Sequence, residues 1–187
     1  MEDFLIYNME EGRLEENTAL LQGFQKLLAS KGLKAKTMNQ HVENIKFFAQ
    51  DYLFNYNSKA LIDLTAEDIR DYLGTWYIRK WAGVSKTNIT QNLVAFKKFA
   101  KYLHDTKKIS EDDYQDILDL CKDKAYFLKR FDAYNSLPSE SSEFGVAFEQ
   151  WMLEEEEFSE GFVDDFDSEA LHESIDNLFK KYGRKMP

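Results

Sequence analysis

The sequence predicts an all-α fold, and three observations carry that expectation. Two prolines and eight glycines in 187 residues supply little of the turn chemistry that an extensive sheet needs. Leu, Phe, Tyr, Lys and Glu dominate, a balance suited to helices joined by short polar turns. Apolar residues also recur three and four positions apart in successive blocks. The length allows one core and a small appendage rather than two large domains.

Residues 15–31 place Leu20, Leu21, Phe24, Leu27 and Leu28 on one stripe, and Gly32 with Leu33 stops this first helix. After the basic link Lys34-Ala35-Lys36, Thr37 opens a second helix with Met38, Val42, Ile45, Phe48, Ala49 and Tyr52, ending near Asn55 to Ser58. Thr65-Ala66-Glu67-Asp68 resembles a capping box and starts a third helix with Ile69, Tyr72, Leu73 and Trp76. Gly83 and Ser85 mark the next break. From Ser85 to Leu103 the residues Ile89, Leu93, Phe96, Phe99, Ala100 and Leu103 share a face, with Lys86, Lys97, Lys98 and Lys101 off it. Ser110-Glu111-Asp112-Asp113 caps a fifth helix through Tyr114, Ile117, Leu118 and Cys121, expected to run on through Phe127 and Phe131. Cys121 is the single cysteine, so no internal disulfide forms, and beside Leu118 and Leu120 it reads as a small buried hydrophobe.

The proline and serines of 135–142 form a linker, which divides the chain into three expected parts. These are an acidic N-terminal extension 1–19, a helical domain 20–135, and a linker with an acidic amphipathic helical tail 136–187. The formal charge of −10 is unevenly shared: 1–19 hold six acids against one base, 20–135 hold 19 bases against 14 acids, and 136–187 hold 14 acids against four bases. Attraction is local, so the basic middle can meet a polyanion although the total is acidic. The tail combines Phe144, Phe148, Trp151 and Met152, the glutamate run 154–157, and a final helix with Leu171, Ile175, Leu178, Phe179 and Tyr182. That aromatic content separates it from a simple disordered acidic tail. The first residues lack the pattern of a signal peptide and no apolar run reaches a membrane span, so a cytoplasmic chain with no membrane partner is expected.

Three stretches together resemble a known family. They are Gly32-Leu33-Lys34-Ala35-Lys36-Thr37 leading into a helix, Leu64-Thr65-Ala66-Glu67-Asp68-Ile69-Arg70-Asp71-Tyr72-Leu73, and Gly83-Val84-Ser85-Lys86-Thr87 opening the basic helix through Phe99-Ala100-Lys101-Tyr102-Leu103. Over residues 20–130 the chain is similar to the N-terminal core-binding, SAM-like domain of the tyrosine recombinase and phage integrase family. The resemblance implies a four- to five-helix bundle, here with an additional acidic helical segment, that clamps one side of double-stranded DNA. It implies that the helices at 37–53 and 85–103 face the groove and backbone. The candidate DNA-binding residues are then Lys34, Lys36, Thr37, Asn39 and Gln40 on the first of these, and Lys86, Thr87, Asn88, Gln91 and Lys98 on the second. Lysines and hydroxyls hold phosphates, and Asn or Gln can read an adenine edge. Glu43 and Asn92 are also read as exposed polar positions. The same residue types solvate any exposed helix face, which is the reading composition alone favours.

The family's catalytic domain has no counterpart. His41, His104 and His172 are followed three positions on by Asn44, Lys107 and Ile175, so none begins a His-x-x-Arg motif, and Tyr182 reads as a helix-face aromatic rather than a nucleophile. His172-Glu173 reaches Asp176 where a zinc-protease helix needs histidine, and Asp165-Phe166-Asp167-Ser168-Glu169 lacks the glycine and distal glutamate of a calcium loop. No glycine-rich phosphate loop or Gly-x-Ser-x-Gly elbow occurs. The expectation is a DNA-binding module that is not an enzyme, needs no metal or cofactor, and is accessory or regulatory in DNA recombination and integration. The alternative is a helical protein-interaction module that has lost DNA binding. In the first case the tail lies over the basic helices as a mimic of phosphate charge; in the second it docks on a recombinase, another protein or a second copy. In either, its apolar residues can instead complete the protein's own core.

Overall fold

The computed structural model describes the backbone of residues 2–160, with the side chains of 12–140 and 143–154. The final helix expected around Leu171, and the motifs at Asp165, His172 and Tyr182, lie outside the described residues. The fold is all-α: among the described residues there are helices and turns and no strand. The chain divides into two units, 1–139 and 140–187.

In the first unit α1 (Glu2–Ser30) joins the acidic residues and the apolar stripe in one helix. Leu20, Phe24 and Leu28 are buried, as is Asn17, whose Oδ1 accepts the Leu61 N–H at 2.8 Å and ties α1 to a 3₁₀ turn at Leu61–Asp63. Gly32, at φ +73°, ends α1 in the left-handed conformation, and Leu33 N–H returns to the Leu28 carbonyl at 3.4 Å. Next, α2 (Ala35–Phe47) continues into a π-helical segment, Phe48–Phe54. The capping box at Thr65 is formed: Asp68 N–H donates to Thr65 Oγ1 at 3.2 Å and Thr65 N–H to Asp68 Oδ2 at 2.8 Å. It opens α3 (Ala66–Asp71), extended by a π-helical turn, Tyr72–Trp76, and closed by α4 (Tyr77–Lys80).

Ser85 caps α5 (Lys86–Asp105) through its Oγ, which accepts the Asn88 N–H at 3.2 Å. This 20-residue helix packs against α1 and α2, and also against α6 (Glu111–Lys122) and α7 (Lys124–Asn135). The fifth predicted helix is therefore two. Asp123 leaves helical geometry at ψ 60° and its Oδ1 accepts the Tyr126 N–H at 3.0 Å, ending α6 and capping α7 in one residue. Aromatic rings fill the centre: Phe48 meets Tyr72 and Phe96 edge-on at 4.9 Å each, and Phe24 meets Phe99 at 5.2 Å.

The second unit contains α8 (Ser141–Glu160), on which Phe144, Phe148 and Trp151 stack in sequence at 5.5 and 5.9 Å. Trp151 is buried, whereas Phe144, Val146 and Leu153 are exposed. No helix among the described residues is long and apolar enough to cross a membrane.

Candidate nucleic-acid interface

The helices α2 and α5 pack directly against each other and run antiparallel. Lys98 acts electrostatically on His41, Phe48 meets Phe96, and Asn44 and Phe47 share a pocket with Asn92, so positions fall along α5 as they rise along α2. Burial of Ile45 and Phe48 on one helix, and of Ile89, Leu93 and Phe96 on the other, holds the pair together. Both helices also pack on α1, and α5 on α6 and α7; the residues they leave in solvent are mostly polar.

On α2 the structure places Lys34, Lys36, Thr37, Asn39 and Gln40 in solvent, all within the first turns. Lys34 stands at the N-cap without a side-chain cap bond, and Gln40 Nε2 donates to Asn44 Oδ1 at 2.8 Å. On α5, Thr87, Gln91 and Lys98 fall on one stripe by helical spacing, with Thr87 exposed and Gln91 and Lys98 half-buried. Because the helices are antiparallel, Lys98 stands near the start of α2, and Lys86 and Thr87 lie at its far end. The predicted residues thus form two groups joined along α5 rather than one patch.

Besides Gln40, two of them are engaged by the fold. Lys86 Nζ meets Asp132 Oδ2 of α7 at 2.6 Å, although both side chains stay about half exposed. Asn88 accepts the Ser85 hydroxyl at 2.5 Å and is half-buried, which makes it part of the cap of α5. Asn92, read from the sequence as exposed, is buried: the part of α5 that carries it is covered by α2, Tyr72 of the π-helical turn and Tyr77 of α4, and its Nδ2 donates to the Asn88 carbonyl at 2.9 Å.

Residues that sequence reasoning passes over lie beside the start of α5. Lys80 and Trp81 end α4 in an exposed turn, and the Trp81 ring sits edge-on to Phe47 at 5.0 Å. A basic residue beside an aromatic one, just before a basic helix, is the available signal. Phe47, Tyr72, Tyr77 and Trp81, with Asn44 and Asn92, line a pocket of about 210 Å³ whose rim includes Glu43.

Burial, and then the positive charge of Lys98, hold the His41 imidazole below its ordinary value. Burial pushes the Cys121 thiol up to about 12, leaving a neutral, unreactive sulfur in the core. Among the described residues no group of three or more His, Cys, Asp or Glu could hold a metal ion. Compared with protein-family models, with curated proteins and with solved structures, the chain gives no match.

Proposed function

We propose that the chain is a non-catalytic module that binds duplex DNA, arranged like the core-binding, SAM-like domain of tyrosine recombinases, and is accessory or regulatory in site-specific recombination. The observation that carries this reading is the stripe of Thr87, Gln91 and Lys98 on α5, flanked at its Lys98 end by Lys34, Lys36, Thr37, Asn39 and Gln40 of α2. From Thr87 to Lys98 the helix rises roughly 16 Å. That exceeds the roughly 12 Å width of the major groove, so hydroxyl and ammonium groups at the two ends reach phosphates on either side while Gln91 lies over base edges. The backbone N–H groups at the start of α5 add donors for a phosphate. The Lys86–Asp132 pair does not block this, since exposed pairs contribute only about 0–1 kcal/mol and exchange readily.

The test is fluorescence anisotropy of the full chain with a random duplex of about 30 base pairs at low and moderate salt. Salt-sensitive binding is expected. Lys36→Glu with Lys98→Glu should weaken it and lower the salt slope by about 0.9 for each phosphate no longer neutralised. Absence of binding at low salt would sink the proposal.

A second reading has its own observation: Val146 and Leu153, seven residues apart and so on one side of the acidic helix α8, are exposed as anchors for a protein groove on a recombinase or a second copy. Its signature is no DNA binding together with self-association in sedimentation velocity that Val146→Glu and Leu153→Glu abolish.

A further inference from the structure

The pocket between α2, the π-helical turn Tyr72–Trp76, α4 and α5 is lined in part by three residues whose polar atoms are closed to water in this arrangement and have no hydrogen-bond partner: Asn44 Nδ2, Tyr72 Oη and Asn92 Oδ1. Tyr72 is fully buried and Asn92 nearly so. The other atom of each amide is occupied, Asn44 Oδ1 by Gln40 and Asn92 Nδ2 by the Asn88 carbonyl, so neither side chain can satisfy the free atom by flipping without losing a bond. Leaving several buried polar atoms unpaired in one place is costly, and such clusters mark a bound water or a ligand. The rest of the lining is aromatic, from Phe47, Tyr72, Tyr77 and Trp81.

We infer that this pocket receives one unstacked nucleobase of a bound nucleic acid, stacked on the Trp81–Phe47 wall and held on its edge by Asn44 and Asn92. The chemistry of the free atoms selects the ligand. A cation offers only donors and would leave Asn44 Nδ2 unpaired. A phosphate offers only acceptors, would leave Asn92 Oδ1 unpaired and would be repelled by Glu43 at the rim. A base edge with a neighbouring donor and acceptor pairs both amides, and adenine is one base that supplies such an edge. Tyr72 Oη can act in either sense.

Size and position agree with this assignment. About 210 Å³ is below the roughly 300–1,000 Å³ of pockets for drug-sized ligands, which suits one base rather than a whole nucleotide. Trp81 is half exposed and ends α4 in extended conformation, and entry of a base to the closed-off amides requires its ring to shift from Phe47. The start of α5, with Ser85, Lys86 and Thr87, follows four residues after Trp81 and offers donors to the attached phosphate. Extrusion costs least where a base is unpaired, so the favoured target is a bulged or mismatched site rather than a perfect helix.

The inference rests on the nucleic-acid reading above, and the experiment separates the two. Full-length chain is titrated by anisotropy with a fully paired duplex of about 30 base pairs and with the same duplex carrying one bulged adenosine. The bulged duplex should bind at least about fivefold tighter, the weak end of the range for stacking one base on an aromatic ring. Asn92→Leu should remove that preference while keeping the affinity for the paired duplex, and Trp81→Ala should remove it whatever its effect on paired binding; circular dichroism melting checks that both variants fold. Equal binding of the two duplexes overturns the pocket assignment and leaves the DNA module intact. If neither duplex binds, the DNA reading fails, and saturation-transfer NMR with deoxyadenosine decides the pocket: a signal that disappears in Trp81→Ala upholds base binding, and no signal overturns it.

Discussion

The phenol of Tyr102 lies directly over the backbone of Gly23: a methyl group at position 23 would stand 2.1 Å from Tyr102 Oη and 3.0 Å from the ring carbon that bears it. This close approach seats α1 on α5, and it is locked from the other side by Phe24 and Phe99, each 6.0 Å from the Tyr102 ring. Gly23 is thus required by packing, although its place in the middle of a helix costs roughly 0.5–1 kcal/mol against Ala.

Gly23→Ala should therefore destabilise the protein despite its better helix propensity. Overpacking typically costs about 1–3 kcal/mol, which exceeds the propensity gain. In a Tyr102→Phe background the closest clash is gone while the ring carbon stays 3.0 Å away, so the same substitution should become clearly less destabilising. Urea melts of the four chains in this double-mutant cycle measure the coupling. Additive effects would show that Tyr102 is not what excludes a side chain at 23.

Tyr52 is buried and donates its hydroxyl to Asp71 Oδ2 at 2.5 Å. Burial first, then the Asp71 carboxylate, raise its pKa far above 10, and burial likewise raises Tyr72 and Tyr77. Each folded-state pKa is above the unfolded value, so the stability these phenols contribute is complete below pH 10 and is lost as pH rises above it. Thermal melts from about pH 8 to 11.5 should show a steep alkaline fall, up to about 1.4 kcal/mol per pH unit for each tyrosine. Tyr52→Phe should lower stability by about 1.5–3 kcal/mol at neutral pH, the range for a hydrogen bond to a charged group, and make the alkaline fall shallower.

How much of the fold and the site is legible in the sequence depends on the range of each interaction. The caps at Thr65, Ser85 and Ser110 are short-range, each bonding a backbone N–H three residues on, and the sequence pattern marks all three. The break at Asp123 is equally local, but the apolar period running on to Phe127 conceals it. Asn92 departs from its exposed reading because α5 is covered by helices on several sides, so a polar residue off its main stripe can still be buried. Trp81 gains its meaning only from Phe47 on another helix, a pairing no periodicity reveals.

The Lys86–Asp132 contact at 2.6 Å sets two functions of one lysine against each other. Both side chains are exposed, so the pair adds little stability, about 0–1 kcal/mol. It also places a carboxylate where a phosphate is proposed to lie. Asp132→Asn should leave the melting temperature nearly unchanged yet raise affinity for duplex DNA and steepen its salt dependence. A drop in affinity would argue that Asp132 orients Lys86 for the phosphate.

His41 offers a proton-linked probe of the same face. It is a buried residue of α2, its Nδ1 lacks a partner, and burial and then Lys98 hold its pKa below 6.5. With the folded value depressed, the imidazole stays neutral in the fold, and the stability this contributes is lost as pH falls below 6.5. A phosphate beside Lys98 would offset the charge that depresses His41, raising its pKa in the complex. A group that holds its proton more tightly in the complex than in the free protein makes binding take up protons, so DNA affinity must rise as pH falls at constant ionic strength. Anisotropy titrations from about pH 7.5 down to about pH 5.5, spanning the ordinary histidine range, measure that increment. His41→Gln should abolish it while keeping the pH response of the other groups. If the variant and the parent respond alike, phosphate does not sit at Lys98, and the stripe on α5 must meet DNA through its Lys86 end alone.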